Sequence, residues 1–96
     1  MLTKEFIINK LKKIKPELLN KYPISELALF GSYARGDNHA DSDIDILIDF
    51  NGSIGMKFFT LYHELEDAFN VKVDLVPRKG IKPHYLPYIE KNLIHV

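Results

Sequence analysis

The sequence contains no cysteine and no tryptophan, and its charges balance. Without cysteine, disulfide bonds and thiolate metal sites are excluded, and the redox compartment is left open. Lysine plus arginine and aspartate plus glutamate number 13 each, so the basic surplus of a general polyanion binder is missing. We therefore expect no direct nucleic-acid binding. A small phosphorylated ligand is still compatible, because metal ions and backbone dipoles can hold phosphates.

Long apolar runs are also missing. The first twenty residues mix apolar positions with lysines, which fits neither a signal peptide nor a membrane span. The simplest expectation is a cytoplasmic protein with no membrane contact. A chain of 96 residues suits one compact domain, residues 1–96, with little chain left for a separate substrate-binding domain.

Apolar periodicity and chain breakers predict an α/β (α+β) fold, in which a small mixed sheet of three to four strands is flanked by helices. Helices are predicted over 3–14, in a further turn started by Pro16, over 56–69 and over 83–92. Strands are predicted over 24–30, 43–50 and 71–76, with a short edge strand over 93–96. Residues 32–36 predict a tight turn or one turn of helix. We expect Leu18 and Leu19 to face inward, and the periodicity counts Tyr62 among the apolar positions of its helix.

Two carboxylates open the second predicted strand. Side chains alternate along a strand, so Asp43 and Asp45 project on the same side, about 6.6 Å apart. Like charges in a partly apolar setting resist ionisation unless a cation intervenes, and Mg²⁺ takes carboxylate oxygens together with substrate phosphates. Asp74 lies within the apolar third strand. If that strand lies beside the second, the three acids form a triad that can hold two metal ions.

A possible phosphate site precedes the carboxylates. Gly31 lets the backbone turn sharply after the first strand, and Ser32 offers a hydroxyl at the start of a helical turn, where free N–H groups attract anions. Arg35, one turn later, can bond phosphate oxygens or clamp an acidic side chain across the turn. Both roles stay open.

Each of these features has an ordinary alternative when taken alone. Gly31-Ser32 can be a simple turn, the Asp43–Asp45 pair can be loop-edge or helix-cap chemistry, and Asp74 can be an edge-strand residue that faces water. The combination is far more specific than its parts.

Gly-Ser-Tyr-Ala-Arg-Gly over 31–36, followed by Ser-Asp-Ile-Asp over 42–45, resembles the signature of the DNA polymerase beta-like nucleotidyltransferase superfamily. The Ala-Arg-Gly and the serine before the acidic pair resemble its minimal nucleotidyltransferase group. The resemblance covers nearly the whole chain. It implies a nucleotide site formed by Gly31, Ser32, Arg35 and Ser42. It also implies that Asp43, Asp45 and Asp74 are catalytic residues and ligands of Mg²⁺, with two ions and ATP as the substrate.

Stand-alone proteins of this group and size resemble the antitoxins of HEPN toxin–antitoxin modules. The resemblance therefore implies a protein adenylyltransferase that moves AMP from ATP to a tyrosine hydroxyl of a partner HEPN ribonuclease toxin, with which it forms a hetero-oligomer. Two alternatives stay open. One is an antitoxin that neutralises its partner by steric binding alone, and the other is a nucleotidyltransferase that acts on RNA or a small molecule.

Overall fold

Four helices and four strands form the part of the chain that the computed structural model describes, residues 2–96. In chain order they are α1 (Lys4–Lys21), β1 (Ile24–Phe30), α2 (Gly31–Arg35), β2 (Ile44–Phe50), α3 (Lys57–Phe69), β3 (Val73–Pro77), α4 (Leu86–Glu90) and β4 (Ile94–His95). The sheet has the order β3-β2-β1-β4; β2 and β3 run parallel, and the other two pairs are antiparallel. The predicted mixed sheet with flanking helices is confirmed. Within residues 2–96, no helix is long and apolar enough to cross a membrane.

Helix α1 begins at a side-chain cap and packs through one stripe of apolar residues. The Thr3 hydroxyl accepts a hydrogen bond from the Phe6 N–H (3.1 Å), as an N-cap residue does. The helix continues through Pro16, whereas the sequence predicted a new turn there. Leu18 lies on the buried stripe, but Leu19 is 45% exposed, so the expectation that both face inward was wrong. Consecutive helical residues differ by about 100° in direction, so only one of the two can face the sheet.

Several predicted boundaries shift. β2 begins at Ile44, one residue after Asp43, and β3 runs from Val73 to Pro77 instead of over 71–76. A proline is tolerated there because β3 is an edge strand, where a missing N–H breaks no ladder bond. Helix α4 is much shorter than the predicted 83–92, because Pro87 fits only the first turn of a helix and so forces a late start.

The strands alternate side chains between two faces of the sheet. One face packs against α1 and α3 and forms the main core, which includes Ile7, Leu11, Leu27, Leu29, Ile44, Ile46, Ile48, Leu61, Leu65, Val73 and Leu75. On the opposite face, Ala28 and Leu47 are paired across β1 and β2, and neither is exposed. The 3₁₀ turn Arg78–Gly80, which follows β3, contacts β2. The segment after β3 therefore helps to cover part of the second face.

An ion network ties this segment to the sheet. Two nitrogens of Arg78 donate to the two carboxylate oxygens of Glu26 on β1, at 2.6 and 2.8 Å. Arg78 also donates to Glu90 on α4 (3.3 Å), and Nε2 of His95 lies 2.7 Å from Glu26. The Arg78 hydrogen bonds are the largest cause that lowers the pKa of Glu26, to about 2. Bidentate arginine–carboxylate pairs are among the stronger polar contacts in proteins, and this one is largely shielded from solvent.

We expect this network to make the stability of the protein depend on acid. The folded-state pKa of Glu26 lies below its ordinary value, so its contribution is present above about pH 5 and is lost as the pH falls towards 2. Between pH 7 and pH 3, wild-type protein should lose about 1–2 kcal/mol of unfolding free energy through this group, after allowance for solvent screening. This loss of unfolding free energy is measured by urea unfolding of wild type and Glu26→Gln at both pH values.

The matched control is Glu17→Gln. Glu17 pairs with Lys21 at 3.8 Å on the surface of α1, and its side chain is 75% exposed. This variant should keep the acid dependence of wild type, whereas Glu26→Gln should lose the share that Glu26 contributes. Equal acid dependence in wild type and Glu26→Gln would show that the network contributes nothing.

Candidate active site

The predicted carboxylates meet at one end of the sheet. Asp45 is paired with Phe30, the last residue of β1, on one side and with Asp74 of β3 on the other. Asp43 lies immediately before β2. Neighbouring strands are about 4.8 Å apart, so the strand pairing alone brings Asp45 and Asp74 together. The structure thus confirms that the third strand lies beside the second, the condition on which the triad depended.

The three carboxylates influence one another through their charges. Asp43 and Asp45 are half-buried, and Asp74 is exposed. Burial, followed by the negative charges of Asp74 and Asp43, raises the pKa of Asp45 to about 6, while Arg35 acts in the opposite direction. Negative charge at Asp45 is therefore hard to hold without a compensating cation.

The donor set fits the Mg²⁺ ions that the sequence resemblance implies. The three acids supply carboxylate oxygens, and Mg²⁺ usually binds through one or two carboxylates together with substrate phosphates and water. Among residues 2–96, no three acidic or imidazole groups already enclose a point where an ion could sit. Substrate phosphates would have to complete the coordination of such an ion.

Gly31 brings the turn after β1 against Asp45. Its φ of +73° lies in the left-handed region, which favours glycine. A Cβ atom at this position would collide with Oδ2 of Asp45 and would lie 2.8 Å from its Cγ. Glycine is thus needed here for two reasons: the backbone has a positive φ, and the Asp45 carboxylate leaves no room for a Cβ atom.

The short helix α2 follows directly. Ser32 is half-buried in its first turn, and its carbonyl oxygen accepts hydrogen bonds from the N–H groups of Gly36 (2.9 Å) and Asp37 (3.1 Å). Gly36 ends the helix in the left-handed conformation, with φ of +86°. The sequence predicted one helical turn here as one of two possibilities, and the structure has it. The start of α2 and the carboxylate of Asp45 are therefore in direct contact through Gly31.

Arg35 and Ser42 lie near the cluster, and each already has a partner. Nε of Arg35 donates to Oδ2 of Asp37 at 3.0 Å, which is the clamp across the turn that the sequence allowed. Its charge also reaches Asp45, since the two groups shift each other's pKa. The Ser42 hydroxyl accepts the N–H of His39 at 2.9 Å and closes the loop just before Asp43. Its own proton remains available for donation.

Sequence reasoning missed Tyr62 and Glu66 on α3. The Tyr62 hydroxyl donates to Glu66 at 2.8 Å. This bond is the largest cause of the raised pKa of Tyr62, to which Asp43 and Asp74 also contribute. The helical periodicity counts Tyr62 as an apolar position, and only its spacing of four residues from Glu66 signals the pair. A tyrosine of α3 thus belongs to the surroundings of the carboxylates.

We expect the neighbouring charges to control the ionisation of Asp45. Its pKa of about 6 is raised above the ordinary value, so the group favours the folded state below about pH 4, and this contribution is lost as the pH rises through 6. In Asp74→Asn the pKa should fall, because a like charge is removed. A pH titration of the carboxyl ¹³C shifts by NMR measures this. An unchanged value in Asp74→Asn would show that the two groups do not interact.

Two glycine variants test the contact at Gly31. Gly31→Ala and Gly36→Ala both place an alanine at positive φ, which costs about 1–2 kcal/mol each. Only Gly31→Ala also meets Asp45, since a Cβ at Gly36 has nothing within 4 Å. Urea unfolding should show the larger loss for Gly31→Ala, and NMR should show that only this variant shifts the carboxyl signal of Asp45. Equal effects of the two variants would contradict the contact.

Comparison with known proteins identifies the family of this chain. The family model for the nucleotidyltransferase domain matches residues 11–96. The protein adenylyltransferase MntA of Thermococcus cleftensis is 36% identical over 97 residues, which cover 100% of this chain and 98% of that protein. A Methanocaldococcus jannaschii protein provisionally named protein adenylyltransferase MJ0126 is 42% identical over 88 residues, or 90% of each chain.

Solved structures share the fold. A provisionally identified minimal nucleotidyltransferase matches with a TM-score of 0.83 and 25% identity, over 99% of this chain and 97% of that one. A toxin–antitoxin complex with AMP-PNP matches with a TM-score of 0.69 and 25% identity, over 98% of this chain and 72% of that one. A complex of a tri-AMPylated Shewanella oneidensis HEPN toxin with an MNT antitoxin matches with a TM-score of 0.64 and 24% identity, over 92% of this chain and 68% of that one. This last match is a likeness of fold alone. The chain therefore belongs to the nucleotidyltransferase domain family and is a nucleotidyltransferase related to protein adenylyltransferases.

Proposed function

We propose that this protein transfers AMP from ATP to a tyrosine hydroxyl of a HEPN ribonuclease toxin and acts as its antitoxin. The observation that carries the proposal is the cluster of Asp43, Asp45 and Asp74, held at the sheet end against the Gly31 turn. A scaffold that only covers its partner has no use for a mutually repelling set of acids, two of which are half-buried. The relatives named as protein adenylyltransferases support the reaction, and the related toxin–antitoxin complexes support the partner and the nucleotide.

The residues of the turn would bind the triphosphate. Gly31 carries no side chain, so the phosphates can approach the backbone beside Asp45. Ser32 offers its hydroxyl and the first N–H groups of α2, which favour negative charge. Arg35 lies at the surface and can exchange Asp37 for a phosphate oxygen. Ser42 can donate its hydroxyl proton from the loop that leads into Asp43.

The carboxylates would hold Mg²⁺. When bound, this ion would neutralise charge on the phosphates and favour ionisation of the acceptor hydroxyl. In the reaction, the tyrosine oxygen bonds to the α-phosphorus while the bond to the leaving pyrophosphate oxygen breaks. Asp74, the exposed member of the cluster, is placed to receive the proton of the hydroxyl. Its exposure also leaves this side of the site open to a tyrosine that a partner protein presents.

Transfer of label from α-³²P-ATP tests the function. Purified protein is mixed with a candidate HEPN partner protein from the same organism, Mg²⁺ and labelled ATP. We expect label on the partner with wild type, and a loss of at least about 100-fold with Asp43→Asn/Asp45→Asn, since the variant removes two ligands of the metal. The acceptor residue is then located by mass spectrometry, and omission of Mg²⁺ should abolish transfer.

The matched control is Asp49→Asn/Asp67→Asn, which removes two carboxylates outside the cluster and should transfer at the wild-type rate. If wild type forms a stable complex with the partner and transfers no label, a steric antitoxin explains the protein better. If label appears on RNA or a small molecule instead of the partner, the reaction stands and the proposed acceptor is wrong.

A further inference from the structure

The outer edge of β3 has a backbone N–H beside the candidate site that does not bond to the neighbouring strand. The N–H of Ile44 donates to the carbonyl oxygen of Lys72 at 3.1 Å, and Ile44 is paired with Val73. In a parallel ladder, bonds towards one neighbour come from alternate residues, so the N–H of Val73 points away from β2. β3 is the last strand of the sheet on this side. Within residues 2–96, no strand is therefore present to accept that N–H.

Glu66 of α3 takes the place of the missing strand. Its Oε2 accepts the N–H of Val73 at 3.2 Å and the hydroxyl of Tyr62 at 2.8 Å. The Tyr62 bond is the largest cause that lowers the pKa of Glu66, followed by the Val73 bond, so the acceptor is held in its charged form. Hydrogen bonds to a charged acceptor are stronger than those between neutral groups. The Glu66 carboxylate thus links α3, the Tyr62 hydroxyl and the edge strand β3.

This junction lies next to the acidic cluster. Val73 is adjacent to Asp74, and Asp74 is paired with Asp45 across the two strands. The Tyr62 hydroxyl is near enough to Asp43 and Asp74 to feel both charges. An edge strand of five residues has ladder bonds on one side only, so its first residues are prone to fray. Fraying at Val73 would carry Asp74 away from Asp45.

We propose that Glu66, supported by Tyr62, is a positioning residue that holds the start of β3 so that Asp74 stays opposite Asp45. The inference rests on the proposed function for the use that the cluster makes of Asp74. Glu66 acts through the main chain of Val73 and needs no contact with ATP or the acceptor. Its removal should therefore lower the rate of transfer and leave the binding of ATP nearly unchanged.

Glu64 provides a matched control on the same helix. Its carboxylate also accepts two hydrogen bonds, from Nζ of Lys21 and from the hydroxyl of Tyr22, each at 2.7 Å. Those partners lie at the end of α1 and just beyond it, and neither belongs to the acidic cluster. Glu64→Ala therefore removes the same number of bonds from α3 without touching β3.

The first measurement is amide hydrogen exchange by NMR, which does not require the protein to be active. In Glu66→Ala, exchange at Asp74 should speed up by at least about tenfold relative to wild type, because its strand opens more often. Glu64→Ala should leave it unchanged. Glu66→Gln should retain most of the protection, since the amide oxygen can still accept the Val73 N–H. Tyr62→Phe should fall between the two Glu66 variants.

The second measurement is AMP transfer with steady-state kinetics. We expect kcat to fall by about 10–100-fold in Glu66→Ala, as small misplacements of catalytic groups do, with the KM for ATP within about twofold of wild type. Glu66→Gln should recover most of kcat. Equal effects of Glu66→Ala and Glu64→Ala on exchange at Asp74 would overturn the proposal. If wild type transfers no AMP, the proposed function fails, and the exchange comparison still decides whether Glu66 orders Asp74.

Discussion

Repulsion among three carboxylates at one end of a small sheet is the constraint on which the site depends. Asp45 lies between β1 and β3, where burial and the charges of Asp74 and Asp43 oppose its ionisation. The strand register keeps it there, because Ile44 and Ile46 on either side of it are fully buried in the core. A slip of one residue would expose these isoleucines and bury the acids. The packing of the core therefore holds the charges together against their repulsion.

The second face of the sheet carries two ion clusters of opposite character. At Glu26 the charges are matched, because Arg78 compensates the carboxylate and keeps its pKa low. The same pair ties the segment after β3 to β1. At Asp45 the charges are unmatched, and the pKa is raised. The matched cluster stabilises the fold without any ligand. The unmatched one would be stabilised most by a bound cation, which is the division expected between a structural and a functional group of charges.

Local patterns explain what could be predicted. The alternation of Ile44, Asp45 and Ile46 and the Gly31 turn are encoded within a few neighbouring residues, and the structure places both as expected. The two wrong predictions described next also have local causes, namely the rotation of a helix and the effect of one proline. Leu19 was assigned to the core because it is apolar, yet the helical rotation turns it outward. Helix α4 is short because one proline outweighs the surrounding helical pattern.

By itself, the sequence determined the order of helices and strands, the glycine at the turn and the alternation of acidic and apolar residues at the start of β2. These features follow from backbone sterics and side-chain periodicity, which act over a few residues. Only the tertiary structure decided that Asp74 lies opposite Asp45, that Glu66 accepts the edge N–H of Val73, and that Arg78 binds Glu26, 52 residues away. Such contacts depend on which strands and helices become neighbours when the whole core packs. No short stretch of sequence carries that information.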